Sequence, residues 1–483
     1  MVLLLPLILP VALAALLLGF SDGRQATRVA VAGGCVELVL LLNLVLQVHR
    51  QTAVVFGSYF RADGLTSLFL LSLAFVFFVT LLYSVNYLKH VPPGRFSSPR
   101  WFYCLLFLFV FAMLAAYLAQ NLGLLWIMME ATTLASALLV SFYQDARAIE
   151  AGYKYLLLLT VGITSAFFGC VLLYSAAQPH LGAESALLIT NLRRVAGELP
   201  PHIALIATLL LLVGFGIKAG LAPFHPWVAD AHAEAPAPMS AFLSSVIIKV
   251  PFIGILRVWS IFGSRYPELN DTLMVLGAFT LVVGGALAVA QDDLKRMFAY
   301  SSVAQVGYIA VALGTGSYLG CYAAVLFVVS HALTKALLFM GAGAVAFAAR
   351  DIRSMASLGG LARRMPLTAA CVLAGVLSLA GMPPFSGFVA KAGVVLAAAE
   401  AHAWVVMAVA LAASLFTMAY GIAVAGRVFR GPGHSSGLEE AREVPAPMGL
   451  AMLLLALASL VIGLGPGLLH PLLDLAGLMQ VGS

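Results

Sequence analysis

Apolar stretches of about 20 residues recur along almost the whole chain and are separated by short polar segments. A membrane-spanning helix needs about 20 apolar residues, so this pattern predicts about 14 spanning helices, numbered spans 1–14. Lipid offers no partner to backbone groups, which predicts an all-α fold. The first stretch, "MVLLLPLILPVALAALLLGF", has no preceding Lys or Arg and no small-residue cleavage site. We therefore expect it to be span 1 rather than a signal peptide.

Composition agrees with the pattern. Hydrophobic residues make up 62% of the chain and charged residues 10%, and the mean hydropathy is +1.04. Soluble domains are about a quarter charged, so the composition indicates an integral membrane protein. The isoelectric point of about 9.1 would suggest a nucleic-acid partner if the basic residues clustered on a soluble face. They are spread over short loops instead, and we expect no nucleic acid to bind.

The basic residues predict the orientation, because cytoplasmic loops are enriched in Lys and Arg. Five of them, Arg50, Arg61, Arg193, Arg194 and Arg265, lie in loops after even-numbered spans, and Arg257 lies at a helix end. This places both termini on the non-cytoplasmic side of a cell's inner (cytoplasmic) membrane. Sixteen basic residues lie in loops after odd-numbered spans: Arg24, Arg28, Lys89, Arg95, Arg100, Arg147, Lys154, Lys295, Arg296, Arg350, Arg353, Arg363, Arg364, Arg427, Arg430 and Arg442.

The sequence predicts no metal site and no cofactor in this chain. It contains no phosphate-binding loop and no G-x-G-x-x-G turn. The cysteines are scattered singly through apolar runs, without a C-x-x-C pair that would hold zinc, haem or an iron–sulfur cluster. Any driving energy must then come from an ion gradient or a partner subunit. The five cysteines are Cys35, Cys104, Cys170, Cys321 and Cys371.

Four lysines, Lys218, Lys249, Lys335 and Lys391, fall inside predicted spans. A lysine in mid-membrane costs about 2.5–3.5 kcal/mol, or about 10 kcal/mol for all four. A single lysine near a helix end could extend to the membrane surface, but Lys335 has apolar residues on both sides. His331 lies one helical turn before it on the same face. Two stacked titratable groups indicate a proton relay.

Glu130 lies about ten apolar or small residues from either end of its span, and it needs a cation partner. Lys218 is the candidate partner, although the sequence does not show whether their helices touch. Buried acid and base groups that exchange charge could load, pass and release a proton. The predicted relay consists of Glu130, Lys218, Lys249, His331, Lys335 and Lys391.

The pattern Ala-Gly-x-x-Pro-Phe occurs at 219–224 and again at 380–385. Pro223, Pro383 and Pro384 are therefore expected to break spans 7 and 12, at points where protein or water satisfies the freed backbone groups. A simple proline kink is the alternative for either break alone. About five spans separate the breaks, so the second copy would be inverted. The predicted units are 1–100 (spans 1–3), 101–262 (first repeat, spans 4–8), 263–430 (second repeat, spans 9–13) and 431–483 (a loop and span 14).

Several motifs resemble one known family: "FHPWVADAHAEAPAPMSAFLSSVIIKVPFIGILR" (224–257), "DLKRMFAYSSVAQVGYI" (293–309), "SHALTKALLFM" (330–340) and "LAGMPPFSGFVAK" (379–391). The chain resembles the antiporter-like proton-translocating subunits of respiratory complex I, Mrp cation/proton antiporters and group 4 membrane-bound hydrogenases. Three more stretches resemble the large F-type membrane component of hydrogenase 4 and formate hydrogenlyase-related complexes: "MEATTLASALLVSFY", "IEAGYKYLLL" and "GIKAGLAPFHPW".

The resemblance implies roles for single residues. Glu130 matches the family's span 5 glutamate, and Lys218 matches the span 7 lysine paired with it. Lys249, Lys335 and Lys391 match the lysines of spans 8, 11 and 12, the last of which is glutamate in some relatives. His225 and His232 match a histidine motif whose role is proton uptake or gating, with a structural histidine as an equal alternative. Asp230 and Glu234 are expected to be loop hydrogen-bond acceptors.

The leading hypothesis is a proton-translocating membrane subunit driven by a partner oxidoreductase, beside homologous membrane subunits. Exchange of protons for sodium stays open. The alternatives are a stand-alone secondary transporter or Mrp-type antiporter subunit without a redox partner, and a static scaffold. The buried lysines count against a scaffold, and no polar pocket for a solute is evident beyond the charged relay.

Overall fold

The computed structural model describes residues 2–91, 97–431 and 438–475. Arg95, one of the loop cations counted above, lies outside the described residues, as does the end of the predicted segment 431–483 beyond residue 475.

Eleven helices precede residue 263 in the described part of the chain. They are α1 (Leu5–Leu18), α2 (Gly23–Gln51), α3 (Gly64–Tyr87), α4 (Pro99–Leu118), α5 (Leu122–Val140), α6 (Ala146–Leu181), α7 (Ile189–Val195), α8 (Pro201–Ala219), α9 (Pro226–Glu234), α10 (Ala237–Phe242) and α11 (Lys249–Phe262).

Eight more helices follow within the described residues. They are α12 (Pro267–Val289), α13 (Leu294–Gly314), α14 (Tyr318–Ala348), α15 (Pro366–Ala380), α16 (Ser386–Glu400), α17 (Trp404–Ala423), α18 (Ala446–Leu464) and α19 (His470–Leu475). Short 3-10 turns cover Leu88–His90, Leu361–Arg363 and Pro466–Leu469.

The all-α membrane fold is confirmed. Twelve helices among the described residues are long and apolar enough to cross a membrane, and α1 and α15 are shorter apolar helices. Leaving out the short helices α7 and α19, and counting α8 with α9, α10 with α11, and α15 with α16 as single crossings, gives the 14 predicted spans. One small element was not predicted, an antiparallel hairpin of β1 (Ala53–Phe56) and β2 (Phe60–Asp63) between α2 and α3.

The two predicted breaks have the same local structure. Gly220 ends α8 with φ 81°, and Gly381 ends α15 with φ 80°. Only glycine adopts this left-handed conformation without strain, which explains the Ala-Gly pair at both helix ends. The bonds Ala222–Pro223 and Pro383–Pro384 are both cis. This likeness agrees with two repeats, whose boundaries stay a prediction.

Protein atoms satisfy the freed backbone groups at the first break. Trp227 Nε1 donates to the Ile217 carbonyl oxygen at 3.1 Å, and the Ala222 amide donates to Thr280 Oγ1 at 3.0 Å. The region around the breaks is partly exposed, with Phe224 42% and Met382 42% accessible. Both breaks are therefore accessible at the surface of the helical bundle, and at the first break protein atoms make these hydrogen bonds.

A third interruption lies in span 8. Leu243–Ile247 form a π-helical turn between α10 and α11, inside an apolar run that gave no sign of it. Its carbonyl oxygens accept side-chain hydrogen bonds, at Ser244 from Lys249 Nζ and at Val246 from Tyr117 OH. Single π turns inside helices are frequent at functional sites.

The spans differ in how much of their surface other helices cover. The apolar windows of Ala237–Phe262 and Tyr318–Ala348 are fully buried, whereas that of Trp404–Arg430 is only 28% buried. The lysines of spans 8 and 11 therefore lie on the two most enclosed helices, and span 13 lies at the periphery.

Candidate functional site

The centre of the site is a contact between two titratable side chains on neighbouring helices. Lys249 begins α11 directly after the π turn, and His331 lies in the middle of α14. Lys249 Nζ is 2.6 Å from His331 Nδ1 and donates to the Ser244 carbonyl oxygen at 2.7 Å. Both side chains are buried. An amine and an imidazole at this distance share one proton between two nitrogens, which couples their protonation states.

Lys335 lies one helical turn beyond His331 and is fully buried. Its Nζ donates to the Phe298 carbonyl oxygen at 3.1 Å and to the Ser301 hydroxyl. Ser302 links this group to the π turn, because its hydroxyl is 2.8 Å from that of Ser244 and donates to the same Phe298 oxygen at 3.0 Å. The π turn, α13 and α14 thus hold the lysines of spans 8 and 11 in one hydrogen-bonded cluster.

Lys218 joins spans 5 and 7, which establishes that these helices touch. It is buried in the last turn of α8, and its Nζ donates to the Met129 carbonyl oxygen and to Thr133 Oγ1, the latter at 2.5 Å. Glu130 lies between these partners on α5, and its Oε2 accepts from Thr160 at 3.4 Å. Its Oε1 has no hydrogen-bond partner among the described residues. The lysine thus bonds the helix turn that carries the glutamate rather than forming a direct ion pair.

Lys391 meets the second break. Its Nζ is 3.5 Å from the carbonyl oxygen of Ala380, the last residue of α15, and 3.3 Å from Ser414 Oγ. It also lies 4.8 Å from the ring centroid of Tyr308, whose hydroxyl is 2.9 Å from Ser414 Oγ. A cation over an aromatic face is stabilised by the ring quadrupole. Neither Lys335 nor Lys391 faces lipid, since both are buried.

The two histidines of the predicted uptake motif have different surroundings. His232 is fully buried in α9, and neither ring nitrogen has a hydrogen-bond partner among the described residues. Its ring packs on Phe339 at 5.0 Å between centroids. His225 is half-buried at the first break, near Tyr300 at 6.3 Å, and its Nδ1 has no partner in the described ranges. Buried polar groups are nearly always bonded, so an imidazole without a protein hydrogen-bond partner among the described residues is unusual.

Asp230 accepts a hydrogen bond, as predicted, whereas Glu234 makes an ion-pair contact without a hydrogen bond among the described residues. Both lie on helix α9 rather than in a loop. Asp230 accepts from Arg296 at 2.5 Å and lies 3.8 Å from Lys154. Glu234 lies 3.8 Å from Arg353. These ion pairs fix α9 to α6, to α13 and to the loop after α14.

Lys295 was counted as a loop cation, and the structure buries it instead. It lies in the first turn of α13, and its Nζ donates to the carbonyl oxygens of Ala233 and Ala235 at 2.9 and 2.6 Å. These carbonyls follow His232 at the end of α9, which leaves them without helical partners. The sequence did indicate a special position for Lys295, because this residue lies in the family motif at 293–309. The count of loop cations nevertheless assigned it to a loop.

A ring of hydroxyls at the second break was not predicted either. Five buried hydroxyls form consecutive contacts: Thr334–Ser378 at 2.8 Å, Ser378–Ser459 at 3.1 Å, Ser459–Ser386 at 2.9 Å and Ser386–Ser330 at 2.8 Å. These four contacts form an open series, called here the hydroxyl ring. It begins and ends on α14 at Thr334 and Ser330, which lie one turn apart on either side of His331. It joins α14 to both halves of span 12 and to α18.

The four span lysines have no carboxylate within 4.0 Å among the described residues. Nor does a direct hydrogen bond join Lys218 to Lys249, or Lys335 to Lys391, in the described part of the chain. The site is therefore a set of local clusters.

Glu37 on α2 is also buried, and both of its carboxyl oxygens lack a hydrogen-bond partner among the described residues. No sequence pattern singled it out.

The described residues contain no group of three or more His, Cys, Asp or Glu side chains that could hold a metal ion. All five cysteines are free, and all except Cys35 are buried. Absence of a cofactor stays an expectation.

Fourteen spans, two broken helices with glycine ends, and buried lysines beside each break define the class of an antiporter-like membrane subunit. A sequence profile described as "NADH:quinone oxidoreductase/Mrp antiporter, TM" matches residues 119–417, and the chain belongs to this family. It is 35% identical over 342 residues to the hydrogenase-4 component F homolog of Methylacidiphilum infernorum (isolate V4), a match that covers 69% of this chain and 71% of that protein. The resemblance stated from the motifs is confirmed.

Solved structures share the fold over almost the full length. A chain of the Mrp complex from Dietzia sp. DQ12-45-1b superposes with a TM-score of 0.87 at 22% identity, covering 100% of this chain and 99% of that chain. A chain of respiratory complex I from Thermus thermophilus with bound aureothin gives a TM-score of 0.80 at 28% identity, covering 98% and 99%. The protein is a multi-pass membrane protein, and these structural neighbours are chains of multisubunit membrane complexes.

Proposed function

We propose that this chain translocates protons as a membrane subunit of a redox-driven complex of the hydrogenase or complex I type. The observation that carries the proposal is the buried contact between Lys249 Nζ and His331 Nδ1, with Lys335 one turn away. Four buried amines without a carboxylate within 4.0 Å among the described residues cost several kcal/mol to keep in a membrane protein, which favours a functional role over a scaffold.

The chemistry of the site favours protons as the transported ion. Sodium prefers oxygen ligands, and unwound backbone carbonyls and helix ends supply them in sodium transporters. Here the carbonyl at the second break faces Lys391, and the hydroxyls near Lys218 and Lys335 accept from those amines. A lysine amine binds and releases a proton but not a sodium ion. Exchange of protons for sodium remains the alternative activity.

Each local cluster has a proposed part in the transfer. The protonation states of Lys218 and Glu130 are coupled across one turn of α5, so protonation or deprotonation of one residue alters the proton occupancy of the other. Lys249 and His331 hold a single proton between them, and Lys335 receives it within the same cluster. Lys391, at the second break, is the final site before release. His232 and Lys295, at the end of α9, form the uptake side.

The driving energy is proposed to come from a partner oxidoreductase beside homologous membrane subunits. The chain would then have no catalytic centre of its own. By the count of loop cations, both termini lie on the non-cytoplasmic side of the inner membrane.

The test is purification in mild detergent followed by reconstitution. We expect homologous membrane subunits and an iron–sulfur or nickel-containing oxidoreductase to co-purify, and redox turnover to acidify or alkalinise the vesicle interior. The isolated chain should carry no such activity. Full ion transport by this polypeptide alone, without a redox partner, would favour the secondary-transporter alternative and contradict the proposal.

A further inference from the structure

An arginine-lined cavity opens where the loop after α14 meets the end of span 13. Its volume is about 650 Å³, and its described lining includes Arg363, Arg364 and Arg430, with Glu439 as the one carboxylate among the described lining residues. The loop side is the 3-10 turn Leu361–Arg363, and the other side is a π-helical segment, Val424–Arg430, that ends span 13. The proton route described above does not use this cavity.

The cavity is strongly cationic and incompletely paired. Arg364 Nη1 donates to the Leu438 carbonyl oxygen, whereas the guanidinium groups of Arg363 and Arg430 make no hydrogen bond or ion pair with the described residues. Arginine forms planar, bidentate hydrogen bonds to phosphate, so two free guanidinium groups beside a third suit a phosphate group.

An apolar stripe on α17 leads to the cavity. Leu411, Leu415, Met418 and Ile422 are 50%, 66%, 44% and 68% exposed. Their spacing of four, three and four residues places them on one face of the helix. From Leu411 to Ile422 the stripe is about 16 Å long, close to the roughly 15 Å that one leaflet contributes to the hydrocarbon core. Gly426, one turn past Ile422, is exposed, and a Cβ atom added to it would meet no other atom within 4 Å, which leaves room beside Arg430.

We propose that this cavity binds the phosphate of an anionic phospholipid whose acyl chains lie along the stripe on α17. A glycerophospholipid has its phosphate directly above its acyl chains, as the arginines lie above the stripe. A partner-protein segment would explain the cations but not an apolar face one leaflet long. Basic pockets at helix ends are a recurring form of anionic lipid site.

Native mass spectrometry of the purified full-length chain in neutral detergent tests this assignment. It compares the binding of phosphatidylglycerol and phosphatidylcholine that carry the same acyl chains. We expect one phosphatidylglycerol to bind more tightly than phosphatidylcholine. The double variant R363Q/R430Q should bind it about 25-fold more weakly, about fivefold for each arginine. R28Q/R147Q is the matched control, because it removes two exposed arginines from the same predicted face, and it should bind like the unmodified chain.

Two further measurements separate the parts of the site. R363K/R430K keeps both charges and should retain most of the preference for phosphatidylglycerol. Binding by this variant would show that substitution at these two positions does not by itself disrupt the fold of the site. Soluble glycerol phosphate should compete poorly, because it lacks the acyl chains. Equal binding of the two lipids, equal loss in R28Q/R147Q, or full displacement by glycerol phosphate would overturn the proposal. So would cross-linking of position 430 to a protein subunit instead of lipid in the intact complex.

Discussion

At the scale of single residues, the sequence located the four buried span lysines and His331 but not their partners. Lys335 and Lys391 are buried with polar neighbours, as expected of a polar route. The expected pairing of Lys218 with Glu130 takes an indirect form, because the amine bonds the backbone of Met129 instead. Charge in an apolar run is visible in a sequence. Which of several oxygens on the facing helix accepts the bond depends on helix rotation, which the sequence does not give.

His232 provides a test that separates a transport role from a structural one. Its ring makes no hydrogen bond to the described residues, so His232→Leu should leave thermal stability and assembly nearly unchanged. If the imidazole carries protons, redox-driven proton uptake by the complex should fall by about tenfold or more. His202→Leu, an exposed histidine at the start of α8, is the control. Unchanged uptake in His232→Leu would make this residue a packing element only.

Arg257 was placed at a helix end, and the structure instead buries it within α11 in a bidentate ion pair. Its Nη1 and Nη2 donate to the two carboxylate oxygens of Asp63 at 2.6 and 2.9 Å. Burial acts to raise the pKa of Asp63, but the charge and hydrogen bonds of Arg257 outweigh it and lower that pKa to about 2. The unfolded value is about 3.9.

This lowered pKa predicts how stability changes with acid. The pair contributes about 2 kcal/mol that is present above pH 4 and is lost as the pH falls from about 4 toward 2. Asp63→Asn should lower the melting temperature at pH 7, because it leaves Arg257 buried and unpaired. Its melting temperature should also fall less between pH 5 and 3 than that of the unmodified chain. Asp22→Asn, a helix-capping aspartate in an exposed loop, should not change the pH profile in this way. Parallel pH profiles for Asp63→Asn and the unmodified chain would contradict this account.

At the scale of elements, the breaks were predictable and the π turn was not. The repeated Ala-Gly-x-x-Pro-Phe pattern marks both breaks, because glycine and proline have fixed backbone consequences. The π turn at Leu243–Ile247 lies in an apolar stretch interrupted only by Ser244 and Ser245, and such a sequence also occurs in an ordinary helix. The hydroxyl ring was invisible for a different reason, since its members are spread from Ser330 to Ser459 and only packing brings them together.

The hydroxyl ring should stabilise the second break. Ser386 contacts both Ser330 and Ser459, so Ser386→Ala leaves two buried hydroxyls short of a partner. We expect a loss of about 1–3 kcal/mol in the free energy of unfolding, measured by thermal or denaturant melting in detergent. Ser175→Ala is the matched control, because the hydroxyl of Ser175 is exposed and bonds only its own helix. A loss no greater than that of the control would show that the ring does not hold the break.

At the scale of the whole molecule, the sequence predicted the number of spans, because each crossing needs its own apolar run. The most enclosed spans carry Lys249 and Lys335, and the burial of those spans follows from packing that no local pattern reports. Lys295 illustrates the limit. A lysine next to a predicted loop is usually solvated, and only the fold of α9 over α13 encloses it.

The central claim is that buried amines in this chain carry the translocated proton, and Lys218 tests it most directly. In the reconstituted complex, Lys218→Met removes the proton site at similar length, while Lys218→Arg keeps a positive charge that arginine does not release at physiological pH. The measurement is gradient formation in vesicles alongside redox turnover for both variants, with the exposed Lys89→Met as control. We expect both Lys218 variants to assemble and to lose gradient formation, and Lys89→Met to pump normally. Pumping by Lys218→Arg at the unmodified rate would contradict the claim, because a fixed cation would then suffice.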